Sequence, residues 1–116
     1  VDAVGILVDN GALPVLAHPT YYDDKSQQGD DSGLRTVLQE LKHAGLVGME
    51  VYYKDYDPDQ VARLAGLAEA FDLVPCGGTD YHASGNPGEP EPGAAGPAMD
   101  SVAELRRLKK ERAVAN

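Results

Sequence analysis

Leu73-Val74-Pro75-Cys76-Gly77-Gly78-Thr79-Asp80-Tyr81-His82 is an apolar run that stops on a glycine pair and ends in an acid and a histidine. The first seven residues have the length and character of a buried strand. On the N-terminal side lies a segment of different period. Asp57-Pro58 opens it, with proline in the first helical turn, and Val61, Leu64, Ala65, Ala68 and Phe71 form one apolar helical face. Further out, residues 48–53 (GMEVYY) read as a second strand rich in β-formers. A helix from Asp31 or Ser32, either of which could be the N-cap, precedes it. Leu34, Val37, Leu38 and Leu41 give its stripe, and Gly45 its stop. Leu13 to Ala17 reads as a buried strand with Pro14 near its start, after a short helix marked by Val4, Leu7 and Val8 that stops near Asn10-Gly11. Residues 21–29 are polar and irregular.

Beyond His82 the chain enters a loop, 83–98, with glycine at 85, 88, 93 and 96 and proline at 87, 90, 92 and 97. A last helix, from about Ser101 to Ala113, is amphipathic through Val102, Leu105 and Leu108. Strands alternating with helices imply an α/β fold with a parallel sheet of about three strands and flanking helices. Three parallel strands cannot close a barrel. With the non-methionine start at Val1, inside what reads as a helix, this leads us to expect a fragment whose other strands lie upstream, or else a small open sheet.

The 116 residues are enough for one domain-sized core. No apolar run approaches the ~20 residues needed to span a bilayer, so no membrane partner is expected. The single cysteine, Cys76, excludes an internal disulfide framework, fits the cytoplasm, and reads as an inert core thiol. The net charge is −9, yet residues 101–116 hold five basic and two acidic groups, a local +3. The acidic remainder argues against a nucleic-acid polymer as partner. An anionic substrate would need divalent cations to offset that field.

In α/β layers the chemistry collects at the carboxyl ends of the strands. There the sequence puts Ala17-His18-Pro19, then Glu50 and Tyr52-Tyr53-Lys54, then Thr79-Asp80-Tyr81-His82. Asp80 and His82, two apart in an extended segment, should face the same side. With His18, held extended by Pro19, they would make a suitable shell for a divalent metal: Zn, Mn or Fe. Gly77 and Gly78 would leave room for a ligand close to the backbone. His43 suits the end of its helix and carries no such role. Glu50, a carboxylate in an apolar strand, needs a partner: either support of a metal site or a salt bridge at the strand end.

The ordered blocks Ala17-His18-Pro19, Gly48-Met49-Glu50-Val51 and Gly78-Thr79-Asp80-Tyr81-His82 resemble the last conserved blocks of the PHP (polymerase and histidinol phosphatase) family. More narrowly, they resemble its TrpH-like phosphoesterases. The resemblance covers roughly residues 3–110. It implies that residues 1–116 are a single C-terminal segment of a distorted (β/α)7 barrel, lacking the N-terminal half with its HxH block. It also implies His18, Asp80 and His82 as metal ligands and catalytic residues, with Mn, Zn, Fe or Mg as the ion. The activity implied is hydrolysis of a small phosphorylated substrate, such as a nucleotide, by a metal-activated hydroxide. Only three of the family's ligands are present, so the isolated chain is expected to be inactive. Its missing half, or a second copy of the chain, would be the partner. Thr20-Tyr21-Tyr22 replaces the Gly-Arg-Tyr of members acting on 3′,5′-bisphosphates, which removes a bidentate phosphate contact and sets that substrate in doubt. Two other readings stay open: a metal-dependent amidohydrolase, and a non-catalytic domain for partner binding or regulation. The loop 83–98 is a substrate-facing lid or a plain connector.

Overall fold

The computed structural model describes residues 2–23 and 31–115, with side chains described as far as residue 112. Among the described residues the chain forms four helices and one parallel sheet of three strands. The helices are α1 (Asp2–Asp9), α2 (Ser32–Ala44), α3 (Pro58–Ala70) and α4 (Met99–Ala115). The strands β1 (Val15–Leu16), β2 (Gly48–Tyr53) and β3 (Val74–Gly78) lie in the order β1-β2-β3. The α/β class and the three parallel strands agree with the sequence reading.

The core lies where the helical stripes meet β2. Met49 and Val51 of β2, Leu34 and Leu38 of α2 and Leu64 of α3 are all fully buried. Leu46, Leu67, Ala68 and Leu73 extend the same cluster. The charged faces of α2 and α3 turn outward, as a 3.6-residue period requires.

Helix ends show which local signals operate. At α3 the Asp57 carboxylate accepts from the Gln60 N–H at 2.8 Å, and the Gln60 side chain accepts from the Asp57 N–H at 3.0 Å. That reciprocal pair satisfies two otherwise orphaned donors. Asp57→Ala should therefore lower stability by about 1 kcal/mol, measurable as a shifted urea midpoint with an unchanged slope. At the other end Asp72 takes the left-handed conformation, φ 52°. The N–H groups of Asp72 and Leu73 then return to Glu69 and Ala68. Asp31 precedes α2 but makes no capping bond with its side chain; its carboxylate accepts instead from Arg35 at 3.1 Å.

Three other expectations change. The first strand is shorter than Leu13–Ala17 and is an exposed edge rather than buried: Val15 is 39% exposed. Pro14, itself buried, joins the sheet only through its carbonyl, which accepts from the Val47 N–H. After His18 the chain forms a 3-10 turn, Pro19–Tyr22, which takes in Tyr21 and Tyr22 at the start of the stretch expected to be irregular; residues 24–30 lie outside the described residues. Helix α4 begins two residues early and packs on β3, with Ser101 buried and Val102, Leu105 and Leu108 only half-buried. Its basic end is tied back across the fold: Lys109 donates to the Gly11 carbonyl and Arg112 to that of Ala12 at 2.7 Å. Cys76 is half-buried, and burial pushes its thiol pKa up, consistent with an inert side chain. No helix among the described residues is long and apolar enough to cross a membrane.

Of the glycine pair, Gly77 has a cause that the sequence reading did not give. A Cβ on Gly77 would stand 2.0 Å from the Tyr52 carbonyl oxygen. The register between β2 and β3 shifts between Glu50 and Tyr52, so Gly77 pairs with Tyr52. The close approach at Gly77 is by the neighbouring strand. Gly78 has open space around its Cα.

Candidate active site at the carboxyl ends of the strands

The three strand ends do converge. His18 follows β1, Glu50 lies within β2, and Asp80 and His82 follow β3. His18 Nε2 lies 3.8 Å from Asp80 Oδ2, although 62 positions separate them in the chain. His82 Nδ1 lies 3.9 Å from Asp80 Oδ1 and 2.5 Å from the Asp80 carbonyl oxygen. Asp80 is thus the hinge between two imidazoles.

The backbone reaches this arrangement by a route the sequence did not suggest. His18 is left-handed (φ 50°, ψ 54°), and so is Asp80 (φ 55°). The extended conformations expected for His18 before Pro19, and for the 80–82 segment, are both corrected. A left-handed non-glycine residue costs on the order of 1–3 kcal/mol and persists only when its surroundings over-determine it. At His18 the restraint is visible. Its N–H donates to Glu50 Oε1 at 3.0 Å, and its Nδ1 stands 3.1 Å from the same oxygen. Glu50, with a side chain only 14% exposed, thereby finds the partner that a carboxylate in an apolar strand requires.

Beyond Asp80 the loop folds back on the site. The Glu89 carboxylate accepts from the N–H groups of His82 and Ser84, at 3.1 and 3.0 Å. Desolvation opposes its charge, but these two N–H groups and the Ser84 hydroxyl outweigh that and hold the carboxyl below its usual pKa. The sign follows: the tie is complete above the ordinary carboxylate pKa of about 4.3 and is lost as pH falls through the lower folded value. The amide shifts of His82 and Ser84 should titrate together with that depressed midpoint. Glu89→Ala should abolish this shared titration and speed proteolysis within 83–98 several-fold.

Aromatic rings wall the site. Tyr21 and Tyr53 meet the His18 ring edge-on, with centroids 5.9 and 5.4 Å away, and Tyr56 packs against Tyr53 at 5.2 Å. Burial, then the carboxylates of Asp55, Asp80 and Glu50, push the Tyr53 hydroxyl pKa up. Lys54 Nζ stands 5.9 Å from the Tyr53 ring centre. His43 lies exposed in the last turn of α2.

Imidazole and carboxylate donors suit a divalent ion chemically. Among the described residues, however, no group of three or more His, Cys, Asp or Glu side chains is arranged to hold one. His18 and His82 each approach Asp80, but the three do not surround a common point. These residues alone therefore do not fit a complete metal shell.

No family profile matches the chain, and no solved structure matches it. Two curated relatives do. The chain is 38% identical over 81 residues to a phosphoribosyl 1,2-cyclic phosphate 1,2-diphosphodiesterase of Eggerthella lenta, a match covering 70% of this chain and 27% of the relative. It is 34% identical over 87 residues to a 3′,5′-nucleoside bisphosphate phosphatase of Chromobacterium violaceum, covering 75% of this chain and 29% of the relative. The chain thus spans between a quarter and a third of the length of each. Its relatives are enzymes that hydrolyse phosphate esters.

Proposed function

We propose that this chain is part of a phosphoesterase of the PHP type, acting on a small phosphorylated substrate of the nucleotide or phosphoribosyl class. His18, Asp80 and His82 are its contribution to the reaction centre. The observation that carries the reading is the approach of His18 to Asp80, both held in left-handed backbone at strand ends. Strained backbone of this kind is concentrated at functional sites. The two relatives, both named for phosphate-ester hydrolysis, support the same class. In this proposal the barrel and a divalent-metal shell (Mn, Zn, Fe or Mg) are completed by donors from outside these 116 residues, either the rest of a longer chain or a second copy.

What the chain's own residues do follows from their chemistry. The imidazoles of His18 and His82 and the carboxylate of Asp80 can accept or hold protons and bind cations. Tyr21, Tyr53 and Tyr56 supply rings beside them, against which a sugar or base can pack. The test is hydrolysis by the full-length protein of a 3′,5′-nucleoside bisphosphate, read as phosphate release, and of a phosphoribosyl cyclic phosphate, read by 31P spectra as ring opening to a monoester, with an N-acyl amino acid as an amidohydrolase control. Hydrolysis of either phosphate ester is expected. Turnover of the amide alone, or of none of the three, would overturn the reading.

A further inference from the structure

Glu50 was left by the sequence between two roles, and its contacts separate them. An isolated salt bridge at a strand end would leave the histidine backbone unconstrained. Here one carboxylate oxygen engages His18 twice, at the backbone N–H (3.0 Å) and beside the ring Nδ1 (3.1 Å). A carboxylate can only accept hydrogen bonds. Placed beside Nδ1, it favours a proton there and disfavours a lone pair. In the neutral ring the lone pair then falls on Nε2, because the competing acceptor on that side, Asp80 Oδ2, is 3.8 Å away and beyond hydrogen-bond reach. The N–H contact meanwhile helps to hold the left-handed backbone that carries the ring to that position. Tyr21 and Tyr53, edge-on to the ring, limit its rotation.

We infer that Glu50 is the positioning residue of this site: from β2 it fixes both the backbone and the tautomer of His18, leaving Nε2 as the free acceptor facing Asp80. The positioning role rests on the proposed phosphoesterase reading, whereas the tautomer is a property of the folded chain whatever its reaction. The carboxylate that orients a working imidazole through its other nitrogen is a recurrent arrangement, and removing it typically costs 10–100-fold in affinity or activity.

Long-range 1H–15N spectra of the full chain, with the histidines neutral, report the tautomer directly. His18 is expected as the Nδ1–H form in the native protein. In Glu50→Leu it should shift towards Nε2–H. Glu50→Gln keeps the shape and an acceptor oxygen but loses the charge, and should show an intermediate Nδ1–H fraction. If Glu50→Leu does not fold, Glu50→Gln carries the test by itself. A native His18 in the Nε2–H form, or a tautomer unchanged in the folded variants, would overturn the inference. In the full-length enzyme Glu50→Gln should lower kcat several-fold to ~100-fold with KM within about threefold. A loss confined to KM would contradict positioning. Absence of phosphate-ester hydrolysis by the unaltered protein would count against the phosphoesterase reading and leave the tautomer result standing.

Discussion

Gly77→Ala is expected to destabilise the fold by roughly 3 kcal/mol or more, the upper end of what overpacking costs. The added Cβ would meet three atoms of one residue: the Tyr52 carbonyl oxygen at 2.0 Å, its carbon at 2.7 Å and its Cβ at 2.8 Å. Two of these are backbone atoms of β2 and cannot turn aside as a flexible side-chain tip would. Relief requires β3 to slide or to separate from β2, and β2 carries Met49 and Val51 at the centre of the core. A second consequence follows from position. Gly77 precedes Asp80 by three residues, so any movement of β3 also carries Asp80 away from His18. Urea unfolding and phosphate release should both register the change. Gly78→Ala is the matched control, since nothing lies within 4 Å of its added Cβ, and it should cost far less.

The second large effect is on turnover. In the proposed phosphoesterase, Asp80→Asn and His18→Ala should each reduce kcat/KM by at least ~100-fold. Partners one layer removed from a reaction centre already cost 10–100-fold, and these two are proposed to stand at the centre itself. Asp80→Asn keeps the volume and removes the charge shared by both imidazoles. With its side chain 41% exposed, Asp80 can be changed with little loss of core packing. A stability loss comparable to that of Gly77→Ala would mark Asp80 as structural.

How much of this could be read from the sequence divides along a physical line. Helices α2 and α3 are written in local spacing: Leu34 and Leu38, then Leu64 and Ala68, are the buried faces their period announced. Asp57-Pro58 marks the start of α3 because capping and proline preference are both local. β2 shows itself through its β-formers. The ends of the chemistry-bearing strands were found for the same reason, since His18, Asp80 and His82 are the polar residues that interrupt apolar runs. Their conformation was not legible. Proline after His18 argues locally for extended backbone, but Glu50, 32 residues away, holds it left-handed. The short β1 was overread because Leu13–Ala17 is apolar throughout, and composition does not distinguish an edge strand from a buried one. Gly77 was assigned to a ligand because the register shift that brings Tyr52 against it involves two strands at once. At His18 and Gly77 a contact between distant residues decided what local sequence could not.

The central claim is that His18 and Asp80 act together at one reaction centre, and a double-mutant cycle on kcat/KM tests it most directly. The full-length protein, His18→Ala, Asp80→Asn and the double variant would be compared on the better of the two phosphate esters. Residues that work as a unit are strongly non-additive. The expected result is a double variant scarcely less active than either single one. Losses that multiply, each substitution contributing its full factor in the presence of the other, would show two independent sites and contradict the account.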